Sequence, residues 1–133
     1  MRQESEIEWI RVSVPEPTSV EIDIKPGSHP NNINLGSHGV VPVAILSSAT
    51  FDATQVDAET VFLSGAGVAV RGRGSNLLAH EQDVDGDGLL DLVVQVETEN
   101  LDPDQFQDGF AVLTGTTFDG EEFLGLDEIT IVP

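Results

Sequence analysis

The stretch Leu90-Asp91-Leu92-Val93-Val94-Gln95-Val96-Glu97 decides the fold class, because its apolar and polar residues alternate. Four apolar side chains fall on one face and three polar ones on the other; they are Leu90, Leu92, Val94 and Val96 against Asp91, Gln95 and Glu97. A period of two residues is that of a β-strand with one buried face. The stretch therefore predicts a strand that packs on the core through its leucine and valine side chains.

Strand patterns of the same kind recur along the chain. They occur at residues 10–14, 20–24 and 129–131, with further strands expected near residues 60–63, 67–70, 77–81 and 110–113. Residues 40–46 form a nearly continuous apolar run, which is typical of a central strand. Pro42 cannot donate a hydrogen bond to a neighbouring strand, so it predicts a sheet edge or a bulge at that point.

Turn signals rich in glycine, proline and aspartate separate these strands about every 8 to 14 positions. No convincing amphipathic helix is found, and the best candidate, residues 52–59, has room for one or two turns at most. About eight short strands at this spacing, with little or no helix, predict an all-β fold. We expect an antiparallel β-sandwich, Ig-like or a related Greek key, with a closed barrel as the second choice.

The chain of 133 residues has the length of one domain. The segment Val14-Pro15-Glu16-Pro17-Thr18-Ser19 contains two prolines, which stiffen a chain and cannot donate to a β-ladder. We therefore expect a linker at residues 15–19 and a single β-sandwich module at residues 20–133. Residues 1–14 then form an extra N-terminal strand or the end of a preceding module.

Charge is the extreme feature of the composition. Five lysines and arginines against 24 aspartates and glutamates give a net charge of −19, and the residues after Arg73 include 15 acids and no lysine or arginine. Nucleic acids and anionic membrane surfaces bind cationic proteins, so the composition argues against both as partners. Such a density of like charge favours a bound divalent cation, or a high-salt or extracellular setting.

The sequence contains no apolar run of about 20 residues, the length that a membrane-spanning helix needs. It also lacks a basic segment followed by an apolar one, so no signal peptide is expected within it. The absence of cysteine excludes disulfides and thiolate metal sites. We therefore expect no membrane insertion.

The strongest chemical motif is Asp83-Val84-Asp85-Gly86-Asp87-Gly88-Leu89-Leu90-Asp91, which reads D-x-D-x-D-G-x-x-D. Calcium is a hard cation that takes about 6–8 oxygen ligands, and carboxylates at alternate positions of a tight loop can converge on one point. The pattern predicts one Ca²⁺, and the ligands are the side chains of Asp83, Asp85, Asp87 and Asp91 and the backbone carbonyl of Leu89. The alternative is an acidic surface turn without an ion.

The loop differs from an EF-hand, because its twelfth position is Val94 and the residues that follow have strand periodicity. It resembles the DxDxDG loops that precede strands in integrin-type propellers and in thrombospondin-type repeats, whose sites are mainly structural. A water or a distant acid would complete the ligand set. The candidate acids are Glu81, Asp102, Asp104, Asp108 and Asp119.

A second motif reads Ile22-Asp23-Ile24-Lys25-Pro26-Gly27-Ser28-His29-Pro30-Asn31-Asn32-Ile33-Asn34-Leu35, followed by Gly39-Val40-Val41-Pro42-Val43-Ala44-Ile45-Leu46. Together with residues 83–92 and the segment Leu113-Thr114-Gly115-Thr116-Thr117-Phe118-Asp119-Gly120, it resembles a module common in secreted and surface proteins of bacteria and archaea. The resemblance covers about residue 20 to the C-terminus. It implies an extracytoplasmic accessory module, in a family with little assigned function.

The loop at residues 25–35 has two interpretations. Its prolines and asparagines can fix their own backbone, which predicts an ordered structural loop. In the alternative, Asn31, Asn34 or Asp23 supplies oxygens to a second cation.

No G-x-S-x-G or H-E-x-x-H motif is present, and a strand-rich chain of this length leaves little material for a substrate cleft. We therefore expect no enzyme, but a calcium-stabilised structural or accessory module, a spacer or an adhesive one, of a larger extracellular or cell-surface protein. Its partners are then the calcium ion, neighbouring modules of the same chain, or a surface glycan or protein.

The alternative function is that of a calcium-dependent carbohydrate-binding module. Such modules usually stack sugars on exposed aromatic side chains. The chain has one tryptophan, Trp9, six phenylalanines and no tyrosine. Among the phenylalanines only Phe106, in the acidic segment 102–108, is expected to be exposed.

Overall fold

The computed structural model describes residues 17–27, 31–71 and 76–132. These residues form thirteen β-strands and four short 3₁₀ helices. In chain order the strands are Thr18–Ser19 (β1), Ile22–Ile24 (β2), Asn32–Ile33 (β3), Val40–Ile45 (β4), Phe62–Leu63 (β5), Ala66–Gly67 (β6), Val70–Arg71 (β7), Asn76–Leu77 (β8), Ala79–Gln82 (β9), Asp91–Glu97 (β10), Phe110–Thr116 (β11), Glu122–Glu128 (β12) and Thr130–Ile131 (β13).

The 3₁₀ helices are Ala53–Gln55, Ala58–Thr60, Thr98–Asn100 and Pro103–Gln105. The first two lie in the segment for which the sequence predicts one or two helical turns. Asp52 and Asp57 precede them and accept hydrogen bonds from backbone N–H groups, as N-cap residues do. Within the described residues no helix is long and apolar enough to cross a membrane.

Two larger sheets pack against each other around one core. Their strand orders are β1-β12-β11-β5-β6 and β2-β4-β10-β9, and the pairs β13–β3 and β7–β8 form two small sheets. The core takes buried side chains from both larger sheets, including Leu63, Leu113 and Phe123 from the first and Ile24, Val43 and Val94 from the second. The predicted all-β sandwich is confirmed.

The strand at residues 91–97 is an internal strand, as its apolar face predicts. β10 lies between β4 and β9 and is antiparallel to both. Its leucine and valine side chains are buried. Two details differ from the alternating pattern. Leu90 precedes the strand and is exposed, and Asp91 is buried although it belongs to the face expected to be polar.

Pro42 lies in β4, which is an internal strand, but at a point where one neighbour has ended. β2 ends at Ile24, opposite Val43. The carbonyl oxygen of Pro42 accepts a hydrogen bond from the N–H of Lys25 at 2.7 Å. Because the N–H and C=O groups of one antiparallel strand residue point to the same neighbour, the missing N–H of Pro42 falls just beyond the end of β2. Pro42 thus lies inside the sheet and not at its edge, at the point where the pairing of β4 with β2 ends.

The strand count and some pairings differ from the sequence prediction. Seven of the strands have only two residues, so the described part of the chain has thirteen strands where about eight were expected. β1 and β13 pair in parallel with β12 and β3, whereas an antiparallel fold was expected throughout. Thr18 and Ser19, in the predicted linker, form β1. The strand predicted at residues 10–14 lies outside the described residues.

Candidate metal centre

The D-x-D-x-D-G-x-x-D motif, residues 83–91, forms a loop, here called the acidic loop, that leads from β9 into its antiparallel neighbour β10. Gly86 and Gly88 have φ angles of +75° and +89°, in the left-handed region that favours glycine. Gly88, the glycine of the D-x-D-x-D-G pattern, therefore occupies a position that other residues rarely adopt.

The loop brings together three of the four predicted carboxylates. One oxygen from each of Asp83, Asp85 and Asp91 lies within 4.8 Å of the other two. Two ligands that are each about 2.4 Å from one Ca²⁺ can be at most about 4.8 Å apart, so these oxygens fit a single ion. In the part of the chain that the structure describes, no other group of three acidic or histidine side chains meets this separation.

Asp87 and Leu89 complete the predicted ligand set, but Asp87 is not in the group of close oxygens. Its Oδ1 accepts a hydrogen bond from the N–H of Leu89 at 2.9 Å. The acids considered as further ligands do not join the group either; they are Glu81, Asp102, Asp104, Asp108 and Asp119. Asp102 instead caps a 3₁₀ helix by accepting from the N–H of Asp104.

Asp83 is fixed by the backbone of its own loop. Its Oδ1 accepts from the N–H of Gly86 at 2.9 Å, and its Oδ2 accepts from the N–H of Gly88 at 3.0 Å. Both glycines adopt the left-handed conformation, so the turn folds back over this carboxylate. The motif thus positions its first acid without help from the rest of the chain.

Asp91 ties the loop to a distant part of the fold. It is fully buried, and its two oxygens accept from the N–H groups of Ser47 at 2.8 Å and Val84 at 2.9 Å. The Ser47 hydroxyl donates to the carbonyl of Leu90 at 2.6 Å and accepts from the N–H of Ala53 at 2.8 Å. The sequence analysis missed Ser47, because a partner 44 residues away leaves no signal in the spacing of the motif.

The electrostatics of the loop favour a bound cation. Desolvation, together with the neighbouring carboxylates of Asp87 and Asp91, raises the pKa of Asp85. Among the described residues, no lysine or arginine forms an ion pair with these acids. The contact between opposite charges that these residues do contain lies outside the loop and joins His38 and Glu99. The negative charges of the loop are therefore not neutralised by protein cations that the structure describes.

A cavity of about 430 Å³ lies beside the loop. Gly88, Leu89 and Leu90 form one wall, and residues between Ser47 and Thr54 form the other. Both leucines are exposed. A change in the conformation of the acidic loop would therefore change the shape of this cavity.

The loop at residues 25–35 is fixed by its own side chains where the structure describes it. The Asn31 amide donates to Asp127 Oδ2 at 3.1 Å and to the carbonyl of Glu128 at 2.8 Å, and Asn34 Oδ1 accepts from the N–H of Gly36. These contacts are those of a structural loop. Asn31 Oδ1 is buried without a hydrogen-bond partner. Residues 28–30 of the loop lie outside the described residues.

Asp127 joins this loop to β2. Its Oδ2 also accepts a hydrogen bond from the N–H of Ile24 at 2.8 Å. Burial, and then the charge of Asp127, raises the pKa of Asp23. Asp23 and Asp127 thus form a pair of interacting carboxylates that is separate from the carboxylates of the acidic loop.

The prediction about the exposed aromatic side chain is wrong. Phe106 is partly buried and packs against the core. The exposed phenylalanines are instead Phe62, Phe110 and Phe118. Phe62 lies between Val61 and Leu63, which are both buried, so its side chain points to the other face. All three residues are apolar, so the sequence pattern alone does not show which of them is exposed.

The acidic loop therefore offers an anionic, all-oxygen donor set on a turn that is anchored to an internal strand. Neither the comparison with protein-family models nor the comparison with curated proteins finds a match for this chain. The interpretation of the loop as a metal site depends on its geometry and on the pattern of its acids.

Proposed function

We propose that this chain is a calcium-stabilised structural module of an extracellular or cell-surface protein. One observation carries the proposal: single oxygens of Asp83, Asp85 and Asp91 lie within 4.8 Å of one another on the turn that leads into an internal strand. An ion held there would stabilise the β-sandwich as well as the loop.

The donor set favours calcium over other metals. All the donors are oxygens, which suit hard cations, and the chain has no thiolate to offer to a soft one. Magnesium requires a near-ideal octahedron and gives up its waters reluctantly, whereas calcium accepts irregular sets of carboxylates, carbonyls and waters. The Leu89 carbonyl, the Asp87 carboxylate and water are available to complete such a set.

The ion would stabilise the fold in two ways. It would offset the repulsion between carboxylates that are held close together. It would also fix the β9–β10 turn, and through Asp91 and Ser47 the residues that follow β4. Both effects add to the stability of the native state alone, which is the thermodynamic role of a structural ion.

The extracellular setting is supported by three features. Calcium modules outside cells often bind with dissociation constants of about 10⁻⁴–10⁻³ M, a range in which a surface loop such as this one can be saturated. The net charge of −19 is compatible with a calcium-rich environment, and the sequence motifs resemble those of secreted and surface modules. In this setting the module would serve as a spacer or an adhesive unit between its neighbours.

The experiment is a calorimetric calcium titration of the metal-free protein and of two variants. Asp85→Asn removes one of the three close carboxylates. Asp104→Asn removes an exposed acid elsewhere and serves as the control with the same change in charge. We expect one ion per chain, affinity at least about tenfold weaker in Asp85→Asn, and affinity within about twofold of the parent in Asp104→Asn. No binding at millimolar calcium, or equal losses in both variants, would overturn the proposal.

A second candidate function, carbohydrate binding, is favoured by a different observation. Phe62 and Phe110 are exposed phenylalanines of the five-stranded sheet, and each offers an aromatic ring on which a sugar can stack. The absence of catalytic activity stays a prediction, and assays on glycosides, esters and peptides test it.

A further inference from the structure

The outer face of the five-stranded sheet is apolar across three strands. In β11 the residues Ala111 and Leu113 are buried, so Phe110, Val112 and Thr114 point away from the core. The register places Leu126 of β12 beside Val112, and it places Leu124 of β12 and Phe62 of β5 on either side of Thr114. Apolar side chains therefore cover a continuous area of this face.

Phe62 is an exposed aromatic side chain on this apolar face. It is 46% exposed, and its partner in β6 is Gly67. A Cβ atom at Gly67 would lie 3.4 Å from Cε1 of the Phe62 ring, so the ring packs over a residue that has no side chain. The ring is supported by the sheet on one side and open to solvent on the other.

A groove of about 210 Å³ lies beside this ring. Its lining includes Phe62, Gln105, Gln107 and Thr114. Among the described residues the lining itself contains no charged side chain. The Asp102 carboxylate lies beside it, where its Oδ2 accepts a hydrogen bond from the side-chain amide of Gln105 at 3.3 Å. The groove therefore offers neutral polar groups with one carboxylate next to them.

We propose that this groove binds a neutral polysaccharide, with the apolar face of a sugar ring stacked on Phe62. Sugar hydroxyls can donate to and accept from the amides of Gln105 and Gln107 and the hydroxyl of Thr114. An aromatic ring with a few convergent neutral polar groups is the composition expected of a small-molecule site. The inference rests on the second candidate function, carbohydrate binding, and is independent of the calcium site, because no residue of the acidic loop lines the groove.

Charge decides between the possible occupants of the groove. An anionic polysaccharide would be repelled by the net charge of −19, and a basic peptide finds a single carboxylate, that of Asp102, beside the groove, already bonded to Gln105. A second copy of the chain carries the same −19, which opposes association at moderate ionic strength. A neutral glycan meets none of these penalties.

The test is affinity electrophoresis in native gels that contain one soluble polysaccharide each, run in millimolar calcium. The neutral probes are a mixed-linkage β-glucan, xylan, galactomannan and glycogen, and alginate is the anionic one. We expect at least one neutral probe to retard the protein and alginate not to. Phe62→Ala should weaken the retarding affinity about tenfold, and Phe62→Trp should keep it.

Phe118→Ala is the matched control, because Phe118 is 69% exposed and lies outside the groove. It should leave retardation unchanged. Gln107→Ala, an exposed change in the groove, should weaken retardation even if Phe62→Ala proves unstable in a thermal melt. The proposal is overturned if no neutral probe retards the protein, or if Phe118→Ala loses as much affinity as Phe62→Ala. It is also overturned if light scattering shows a dimer that Phe62→Ala dissociates.

Discussion

At the scale of single residues, Asp91 links the acidic loop to the core. A buried carboxylate is costly unless hydrogen bonds replace its water, and the N–H groups of Ser47 and Val84 supply two such bonds. This arrangement does not depend on an ion. Asp91 therefore has a structural role that the other acids of the loop do not share.

The first prediction concerns this structural role. Asp91→Ala should lower the free energy of unfolding by about 3 kcal/mol even in chelator, because it leaves two N–H groups without an acceptor. Asp87→Ala should change the metal-free stability little. The Asp87 carboxylate accepts one backbone hydrogen bond, from the nearby N–H of Leu89, and this bond is exposed to solvent. Urea denaturation in EDTA measures both. Equal effects of the two variants would contradict the role assigned to Asp91.

The second prediction is a reversal of sign for Asp85→Asn. Without calcium the variant should melt at a higher temperature than the parent, because it removes one of several repelling carboxylates. With saturating calcium it should melt at a lower temperature, because it removes a ligand. Thermal melts in EGTA and in millimolar calcium show the reversal, and Asp104→Asn should show none. A variant that is more stable in both conditions would argue for an acidic turn without a site.

The third prediction is a pH dependence from Asp23, whose pKa burial and the charge of Asp127 raise above the usual 3.8. A raised pKa means that the native state holds the proton more tightly than the unfolded state. The contribution of Asp23 to stability is therefore full below pH 3.8 and is lost as the pH rises through the higher native pKa. Asp23→Asn should raise the melting temperature at pH 7 and leave it unchanged below about pH 3.8. A gain that is the same at both pH values would contradict this cause.

At the scale of elements, the closest approach involves β12 and β2. A Cβ atom at Gly125 would lie 2.7 Å from Cγ2 of Ile22 and 3.1 Å from the carbonyl oxygen of Val20. One of these neighbours is backbone and cannot move alone. Glycine at this position therefore sets the distance between an edge strand of one sheet and a strand of the other.

The fourth prediction follows from this contact. Gly125→Ala should destabilise the protein by about 1–3 kcal/mol, because the added methyl group overpacks the contact between β12 and β2. Gly39→Ala is the control, since its nearest neighbour is the side-chain hydroxyl of Ser37 at 3.3 Å, which can rotate away. Urea denaturation midpoints in calcium report both effects. A Gly125→Ala protein as stable as the control would show that β2 and β12 can separate freely.

The elements also show which parts of the structure the sequence could reveal. The alternation in residues 90–97 predicted an internal strand, and the apolar run at 40–46 predicted another, because burial of one or both faces leaves a pattern. The two-residue strand β1 leaves no pattern, since it depends on β12, about 100 residues away. The alternation at residues 129–131 predicted β13, but not its parallel pairing with β3. The loop acids were recognisable from local spacing, whereas the contact of Asp91 with Ser47 was not.

At the scale of the whole molecule, the net charge of −19 determines how stability responds to cations. Any added salt screens the repulsion between acids. Only a site distinguishes calcium from sodium at equal ionic strength. The two effects can be separated because the first varies smoothly with ionic strength and the second saturates.

The fifth prediction states the size of the calcium effect. At a free calcium concentration of about 100 times the dissociation constant, binding to the native state alone adds about 2.7 kcal/mol. For a domain of this size, that raises the melting temperature by about 10 °C. Calorimetric melts in EDTA and in millimolar calcium measure the shift. The same rise produced by sodium chloride at matched ionic strength would show screening and no site.

The parallel pairings at the two ends of the described chain have a mechanical consequence. β1 runs parallel to β12, and β13 runs parallel to β3. Tension applied along the strand axes, from Thr18 at one end and Val132 at the other, would pull β1 against β12 and β13 against β3. The hydrogen bonds between these strands are then loaded in shear, so that they bear the force together and not one after another. Forced unfolding is limited by the unfolding rate, and a module built this way would resist stretching until its end strands give way as a unit.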